Sequence, residues 1–417
     1  MDSPGRAHVT TRGLMALGAA VVLSVLAVAC SSVEGADPRP EPGSGTDSEL
    51  SPADRCGNLV LRGGDFTPLA PPSDASSDPR ATTYFGINNR GQAVGAYYEA
   101  GAMPDSPGFD PIAGNHAVLR DSRGTYTRID VPGARLTLAY DLNDRTEVVG
   151  QYIEAGAVPG TRGRLPFGTV HGFVSHRGDV TTIDATGAAL TQPLGVNDRG
   201  DVVGAFIEAG PSPDAYGYYE TGRLRGFVMR SGRFTPIDFP GSEGTTVTGI
   251  NDRGQMVGYY DIGGTQRGFL LSNGRFTRID QPGSSFTLPS RIDNRGRIVG
   301  GYGDPNGVNT RGFLLEDGNY TTIVAPGDRT DTVAHDINDQ GDIVIPADGT
   351  VFRQPETACG RPTAPTAISP SSPSVPARAD ATARGAGREP PASAALYGRG
   401  IGVVAGGCSR VGVGRLS

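Results

Sequence analysis

The chain has 417 residues and a formal charge of −7, and its 37 basic residues are all arginine, with no lysine and no tryptophan. A mildly acidic body excludes nucleic acid as the main partner, because phosphate binding needs a basic face. The four cysteines have none of the close spacings of a zinc site.

The chain opens with Arg6 and Arg12, followed by an uncharged, mostly apolar run from Gly13 to Ala29. That run is short for a membrane span and ends in small residues, so residues 1–29 are expected to be an export signal. Leu26-Ala27-Val28-Ala29-Cys30 then resembles a bacterial lipobox. The resemblance implies lipidation of Cys30 and a protein held at the outer face of the cytoplasmic membrane by the lipid alone. Residues 30–55 are rich in Pro, Gly, Ser and acids and are expected to be a flexible tether. Residues 360–417 are rich in Pro, Ala, Gly and Arg and read as a disordered tail.

Between these segments, 56–359 is one repeat array. Six copies of an apolar residue followed by Asn-Asp-Arg-Gly or a relative begin at Ile87, Leu142, Val196, Ile250, Ile292 and Ile337. A fixed period of this size marks a repeat architecture. Each copy leads into a strand pattern of the Val-Val-Gly type. A second landmark, Gly-Phe-Val or Gly-Phe-Leu at 172–174, 226–228, 268–270 and 312–314, opens a third strand. After a Gly turn, a fourth strand such as Arg233-Phe234-Thr235-Pro236-Ile237 ends near a Pro-Gly pair. Tight turns built on Asn, Asp and Gly suit hairpins. The unit therefore reads as four antiparallel strands, and the fold as an all-β, six-bladed propeller.

Five units are complete from about residue 82 to 326, and a sixth supplies only its first two strands. The missing half is expected at the other end, because 58–69 aligns without a gap with 226–237. The N-terminal hairpin should thus complete the last blade and close the ring. Thr350-Val351-Phe352-Arg353 is a further strand candidate. Cys56 and Cys359 bracket the array, and outside the cytoplasm they are expected to form a disulfide beside that seam, contributing roughly 2–5 kcal/mol. Cys408 is left over in the tail.

The phrase Asn-Asp-x-Gly-x-Val-Val-Gly, followed by Gly-Phe-Leu and Phe-Thr-x-Ile-Asp-x-Pro-Gly, resembles the HAF repeat of probable extracellular bacterial proteins. The resemblance covers about 300 residues. It implies secretion and repeat structure and brings no activity with it.

The first turn residues, Asn88, Asn143, Asn197, Asn251, Asp293 and Asn338, are spaced 55, 54, 54, 42 and 45 residues apart. The extra residues of the first three units fall between strands two and three. Each insertion opens alike, at Tyr98-Glu99-Ala100-Gly101, Ile153-Glu154-Ala155-Gly156 and Ile207-Glu208-Ala209-Gly210. Loops on a rigid scaffold are where function concentrates. The candidate binding face is accordingly Glu99, Phe109, Glu154, Phe167, Glu208, Tyr216, Tyr218 and Tyr219, facing a glycan or protein of the cell envelope.

The Asn-Asp-Arg-Gly phrase lacks the ligand spacing of a helix–loop–helix calcium site and reads as a self-capped turn. Asp130, Asp184, Asp238 and Asp280 recur at one place per unit, and bonds to turn amides are the expectation for them. His116 and His171 stand where later units have Arg, as structural variants. No nucleophile elbow, phosphate loop, metal site or catalytic set is evident, and no cofactor is expected. The reading is a surface-tethered binding or scaffolding lipoprotein. The alternative is a propeller hydrolase or lyase acting on an extracellular glycan or lactone.

Overall fold

The computed structural model describes residues 57–75, 81–99, 115–155, 169–213, 219–307, 309–326 and 331–346. Cys30, Cys56, Cys359, Cys408, Phe109, Phe167, Tyr216 and Tyr218 lie outside these residues. So do the signal, the tether, the tail and the 350–353 strand candidate. Of Tyr219 only the backbone is described.

Every element in the described residues is a strand. A short hairpin, β1 (Leu59–Arg62) and β2 (Asp65–Pro68), comes first. Five four-stranded units follow. They are β3 to β6 (Thr82–Ile87, Ala93–Tyr98, Asn115–Arg120, Tyr126–Arg128) and β7 to β10 (Ala134–Leu142, Glu147–Glu154, Val170–His176, Asp179–Ile183). Next come β11 to β14 (Ala188–Val196, Val202–Pro213, Tyr219–Arg230, Arg233–Ile237) and β15 to β18 (Gly244–Ile250, Met256–Ile262, Thr265–Ser272, Arg275–Ile279). The last complete unit is β19 to β22 (Thr287–Ile292, Ile298–Gly303, Thr310–Glu316, Asn319–Ile323). Two short strands, β23 (Asp336–Ile337) and β24 (Ile343–Ile345), end the series.

Within each complete unit the strands pair antiparallel in sequence order; a single parallel bridge, Asn115 to Leu136, links the first unit to the second. The N-terminal hairpin pairs with the C-terminal strands in the order β2-β1-β24-β23, with Leu59 opposite Ile345 and Leu61 opposite Ile343. Arg62 fixes that join by a two-pronged bond to Asp342, at 2.7 and 2.6 Å. On the other side, Asn58 donates to the Thr82 carbonyl at 2.7 Å and accepts the Tyr84 N–H at 3.0 Å.

The repeated sequence landmarks are the core. Phe173, Phe227, Phe269 and Phe313, one within the third strand of each of the second to fifth units, are wholly buried. Each ring leans on the glycine of the neighbouring Val-Gly sequence: a Cβ at Gly150, Gly204, Gly258 or Gly300 would meet that ring at 2.9 or 3.0 Å and run into a first-strand carbonyl. The glycine is therefore a packing requirement, allowing strand one, strand two and the phenylalanine to share one layer.

The third insertion differs from the expected loop. It continues the sheet, since β12 and β13 each run 12 residues and Pro213 still pairs with Tyr219.

Candidate functional site

The first residue of each Asn turn caps its own backbone. Asn88 Oδ1 accepts the N–H of Arg90 and of Gln92, both at 3.0 Å, and Asn143, Asn197, Asn251 and Asp293 do the same. The side-chain amide also reaches the next unit. Asn88 Nδ2 donates to the Asn143 carbonyl (3.1 Å), Asn143 to Asn197 (2.9 Å), Asn197 to Asn251 (3.1 Å) and Asn251 to Asp293 (2.9 Å). Asp293 has no amide to give. Arg297 supplies the donor, binding Asp293 at 2.6 Å through Nε and the Asn338 carbonyl at 3.3 Å through Nη2. Asn338 then donates to the Asn88 carbonyl at 3.2 Å, so the series of bonds returns to its start.

The second residue of each turn builds a parallel cycle. The N–H of Asn89 donates to Asp144 Oδ1 (2.8 Å), Asp144 to Asp198 (2.7 Å) and Asp198 to Asp252 (2.9 Å). Asp252 continues to Asn294 (2.8 Å), Asn294 to Asp339 (2.8 Å) and Asp339 to Asn89 (2.7 Å). Two amides separate most of these carboxylates. Asn89 Nδ2 bridges Asp144 and Asp339, and Asn294 Nδ2 bridges Asp252 and Asp339. Asp198 has no such neighbour; burial, with Asp144 and Asp252 beside it, raises its pKa above the ordinary carboxylate value. No group of three or more His, Cys, Asp or Glu among the described residues is placed to hold a metal ion.

All six turns line one funnel, and its floor holds a charge cluster that sequence reading missed. In each complete unit the first strand carries a β-bulge, at Phe85, Tyr140, Leu194, Thr248 and Ser290. A bulge withdraws its residue from the ladder and leaves a carbonyl to be satisfied elsewhere. One guanidinium does this for four units. Arg291 donates to the carbonyls of Ser290 (3.0 Å), Thr248 (2.6 Å), Leu194 (2.6 Å) and Tyr140 (3.1 Å). The positions equivalent to Arg291 are Gly86, Asp141, Gly195, Gly249 and Asp336. The glycines keep neighbouring units close: a Cβ on Gly86 would lie 3.0 Å from the Asp141 Cα, and one on Gly249 3.0 Å from the Arg291 Cα.

Asp141 and Asp336 face Arg291 Nε at 3.5 and 3.7 Å. Burial pushes both carboxyls up, Asp336 to about 8, and the charge of Asp141 adds to the shift while Arg291 opposes it. At neutral pH the pair and its guanidinium therefore retain a proton and come close to neutral. The oxygens are occupied. Asp141 accepts the N–H of Leu142 and of Val196, both at 2.8 Å, and Asp336 accepts Ile337 (2.7 Å) and Ile87 (2.6 Å). Burial, helped by Arg291, lowers the adjacent His335 to about 3, so its imidazole is neutral and a weak base. The cluster is built to join units.

The first-to-second and third-to-fourth turns of a four-stranded antiparallel unit lie at one end, and the second-to-third loops at the other. The insertions therefore leave the end opposite the Asn turns. Glu99, Glu154 and Glu208 stand at their bases, each beside a histidine or arginine that also contacts an aspartate. His116 lies 3.2 Å from Glu99 and 2.8 Å from Asp130, and His171 lies 3.1 Å from Glu154 and 2.6 Å from Asp184. Arg225 takes the place of the histidine in the third unit, bonding Glu208 at 2.9 Å and gripping Asp238. An aromatic ring backs each of these side chains: Tyr97 against His116, Tyr152 stacked on His171 at 5.1 Å, and Phe206 under the Arg225 guanidinium at 6.0 Å. In the fourth unit Asp280 lies 3.5 Å from Arg278 and 3.9 Å from Arg267. The recurrent aspartates thus differ from expectation: they pair with histidine or arginine side chains on their own or the neighbouring strand in place of turn amides. His116 and His171 do hold the Arg position.

No known family profile matches the chain, and no curated protein does. Among solved structures it is similar to TolB from Acinetobacter baumannii, at 12% identity and TM-score 0.40 over 61% of this chain. It spans 63% of that TolB chain. It is also similar to a gluconolactonase from Xanthomonas campestris (14% identity, TM-score 0.35, 70% of this chain and 91% of the other). A third similar structure is virginiamycin B lyase from Staphylococcus aureus (10% identity, TM-score 0.31, 64% and 95%). Likeness at this level says nothing about activity, and the described residues are all-β, in four-stranded antiparallel sheets.

Proposed function

We propose that the chain is an exported binding or scaffolding lipoprotein. Its units form a closed six-bladed propeller, and its partner, a glycan or protein of the cell envelope, is met by the three insertions. One observation carries this reading. Three successive units pin the bases of their insertions with the same clamp, a histidine or arginine set between two carboxylates, at Glu99–His116–Asp130, Glu154–His171–Asp184 and Glu208–Arg225–Asp238. A clamp repeated where the chain is longest is what a rigid platform for projecting loops requires. The two cycles of turn bonds support the six-unit ring, because each returns to its first member only after visiting every unit. Lipidation of Cys30 and a Cys56–Cys359 disulfide belong to the same proposal.

Removing residues 102–114, 157–168 and 211–223 together should leave thermal unfolding near that of the parent and abolish binding to isolated cell-envelope fractions. Retained binding would sink the reading. The hydrolase or lyase alternative draws on the Asp141–Asp336 pair, whose carboxyls burial pushes toward the protonated form that a general acid needs. Against it, both oxygens of Asp336 and of Asp141 already accept backbone N–H groups.

A further inference from the structure

A groove of about 600 Å³ runs between the third and fourth units, at the end opposite the insertions. That volume falls within the roughly 300–1,000 Å³ of ligand sites. Its bottom is aliphatic, formed by Val228, Ile237, Met256 and Leu271, and its rim carries Arg199, Arg230 and Arg253. The charge there follows from differences between repeats. In the second and third units a carboxylate two residues after the turn arginine neutralises it: Arg145 pairs with Glu147 at 2.6 Å and Arg199 with Asp201 at 2.9 Å. The fourth unit has Gln255 at that place, and its side chain is turned to Asn251 at 2.9 Å. Arg253 is left with the Asn294 carbonyl. Arg230, at the end of β13 where β17 has Ser272, adds a third guanidinium and shares Asp201 with Arg199 at 3.3 Å. Three guanidinium groups meet one carboxylate, above an aliphatic floor.

We infer that this groove is a docking site for a short acidic peptide segment of a partner protein, carrying at least one aliphatic side chain. The two uncompensated guanidinium groups select carboxylates, which they can bind through paired N–H donors. The floor takes a leucine-like side chain. Aromatic side chains, the usual platform for sugar rings and bases, are missing from its lining. The site lies away from the insertions and does not depend on the reading given above for them.

The test is calorimetric titration of the full chain with acetyl-Glu-Leu-Asp-Leu-Glu-amide at low salt. Saturable binding is expected that weakens as salt is raised. Arg253→Gln, which copies Gln340 of the sixth unit, and Arg230→Ser, which copies Ser272, should each weaken it about tenfold, the effect of one charge-assisted contact. Both side chains lie outside the core, and unchanged unfolding temperatures would show the fold intact. The inference is overturned if the peptide does not bind, if acetyl-Gln-Leu-Asn-Leu-Gln-amide binds equally well, if both variants bind as the parent does, or if an acidic oligosaccharide binds where the peptide fails.

Discussion

Arg291 of the fifth unit donates to the Tyr140 carbonyl of the second at 3.1 Å, across the floor of the funnel. With its bonds to Leu194, Thr248 and Ser290 it satisfies a carbonyl freed by a bulge in each of four units. Arg291→Met keeps some of the bulk and removes every donor. The variant buries four carbonyls without partners and leaves Asp141 and Asp336 without a counter-charge. Breaking a buried ion pair from one side costs about 3–5 kcal/mol. Urea unfolding of the variant should show a loss of that order, whereas a loss typical of surface substitutions would refute the keystone role.

The carboxyl pair beside Arg291 makes stability depend on pH. Asp336 titrates near 8 in the folded chain and near the ordinary carboxylate value of 3.8 when unfolded. Between those values the folded state holds a proton that the unfolded state has lost, so stability falls as pH rises. Its contribution is complete below about 4 and is lost through about 8. Asp336→Asn cannot titrate. Thermal unfolding followed from pH 5 to pH 8 should therefore fall less steeply in the variant than in the parent, and parallel curves would count against the assignment.

The strand order, the hairpin turns and the pairing of the N-terminal hairpin with the C-terminal strands were legible because each leaves a local pattern. Glycine marks the close layers, Asn and Asp mark the turns, and residues 58–69 align without a gap with 226–237, six of the twelve positions being identical. Arg291 was not legible, because its importance comes from a single register position compared across units. Lined up, that position reads Gly, Asp, Gly, Gly, Arg, Asp. Two acids and one base among glycines are the signal, and a repeat pattern, which is defined by the residues that recur, does not contain it. The aspartates were misread for a related reason. Asp184 lies 13 residues after its His171 partner, and only the pairing of β9 with β10 brings the two together.

Asp198 offers a stabilising substitution. Its carboxylate stands between those of Asp144 and Asp252, whereas Asn89 and Asn294 place an amide between carboxylates elsewhere in the cycle. Asp198→Asn keeps the acceptor used by the Asp144 N–H and removes the like-charge contact. A gain on the order of 1 kcal/mol at neutral pH is expected, shrinking in acid as the parent carboxylates take up protons. Chemical denaturation at pH 7 and pH 4 would read both the gain and its disappearance; a loss at pH 7 would contradict the argument.

Thr146 occupies the turn position held by glycine in the other units, and its φ is 63°, where Gly91, Gly200, Gly254, Gly296 and Gly341 are also positive. A β-branched residue in the left-handed region carries strain of roughly 1–3 kcal/mol. Thr146 recovers part of it through a bond from its hydroxyl to Gln92 Oε1, at 3.0 Å in the preceding unit. Thr146→Gly relieves the strain and gives up that bond, worth about 1 kcal/mol net. Glycine also gains freedom in the unfolded chain, which opposes the benefit by several tenths of a kcal/mol. The balance favours the variant by about 0.5–1 kcal/mol. Thr146→Ala keeps the strain of a Cβ at positive φ and loses the same bond, so it should fall below both parent and glycine variant. Urea midpoints in the order glycine, parent, alanine are the expected result; alanine at or above glycine would show that backbone strain does not govern this turn.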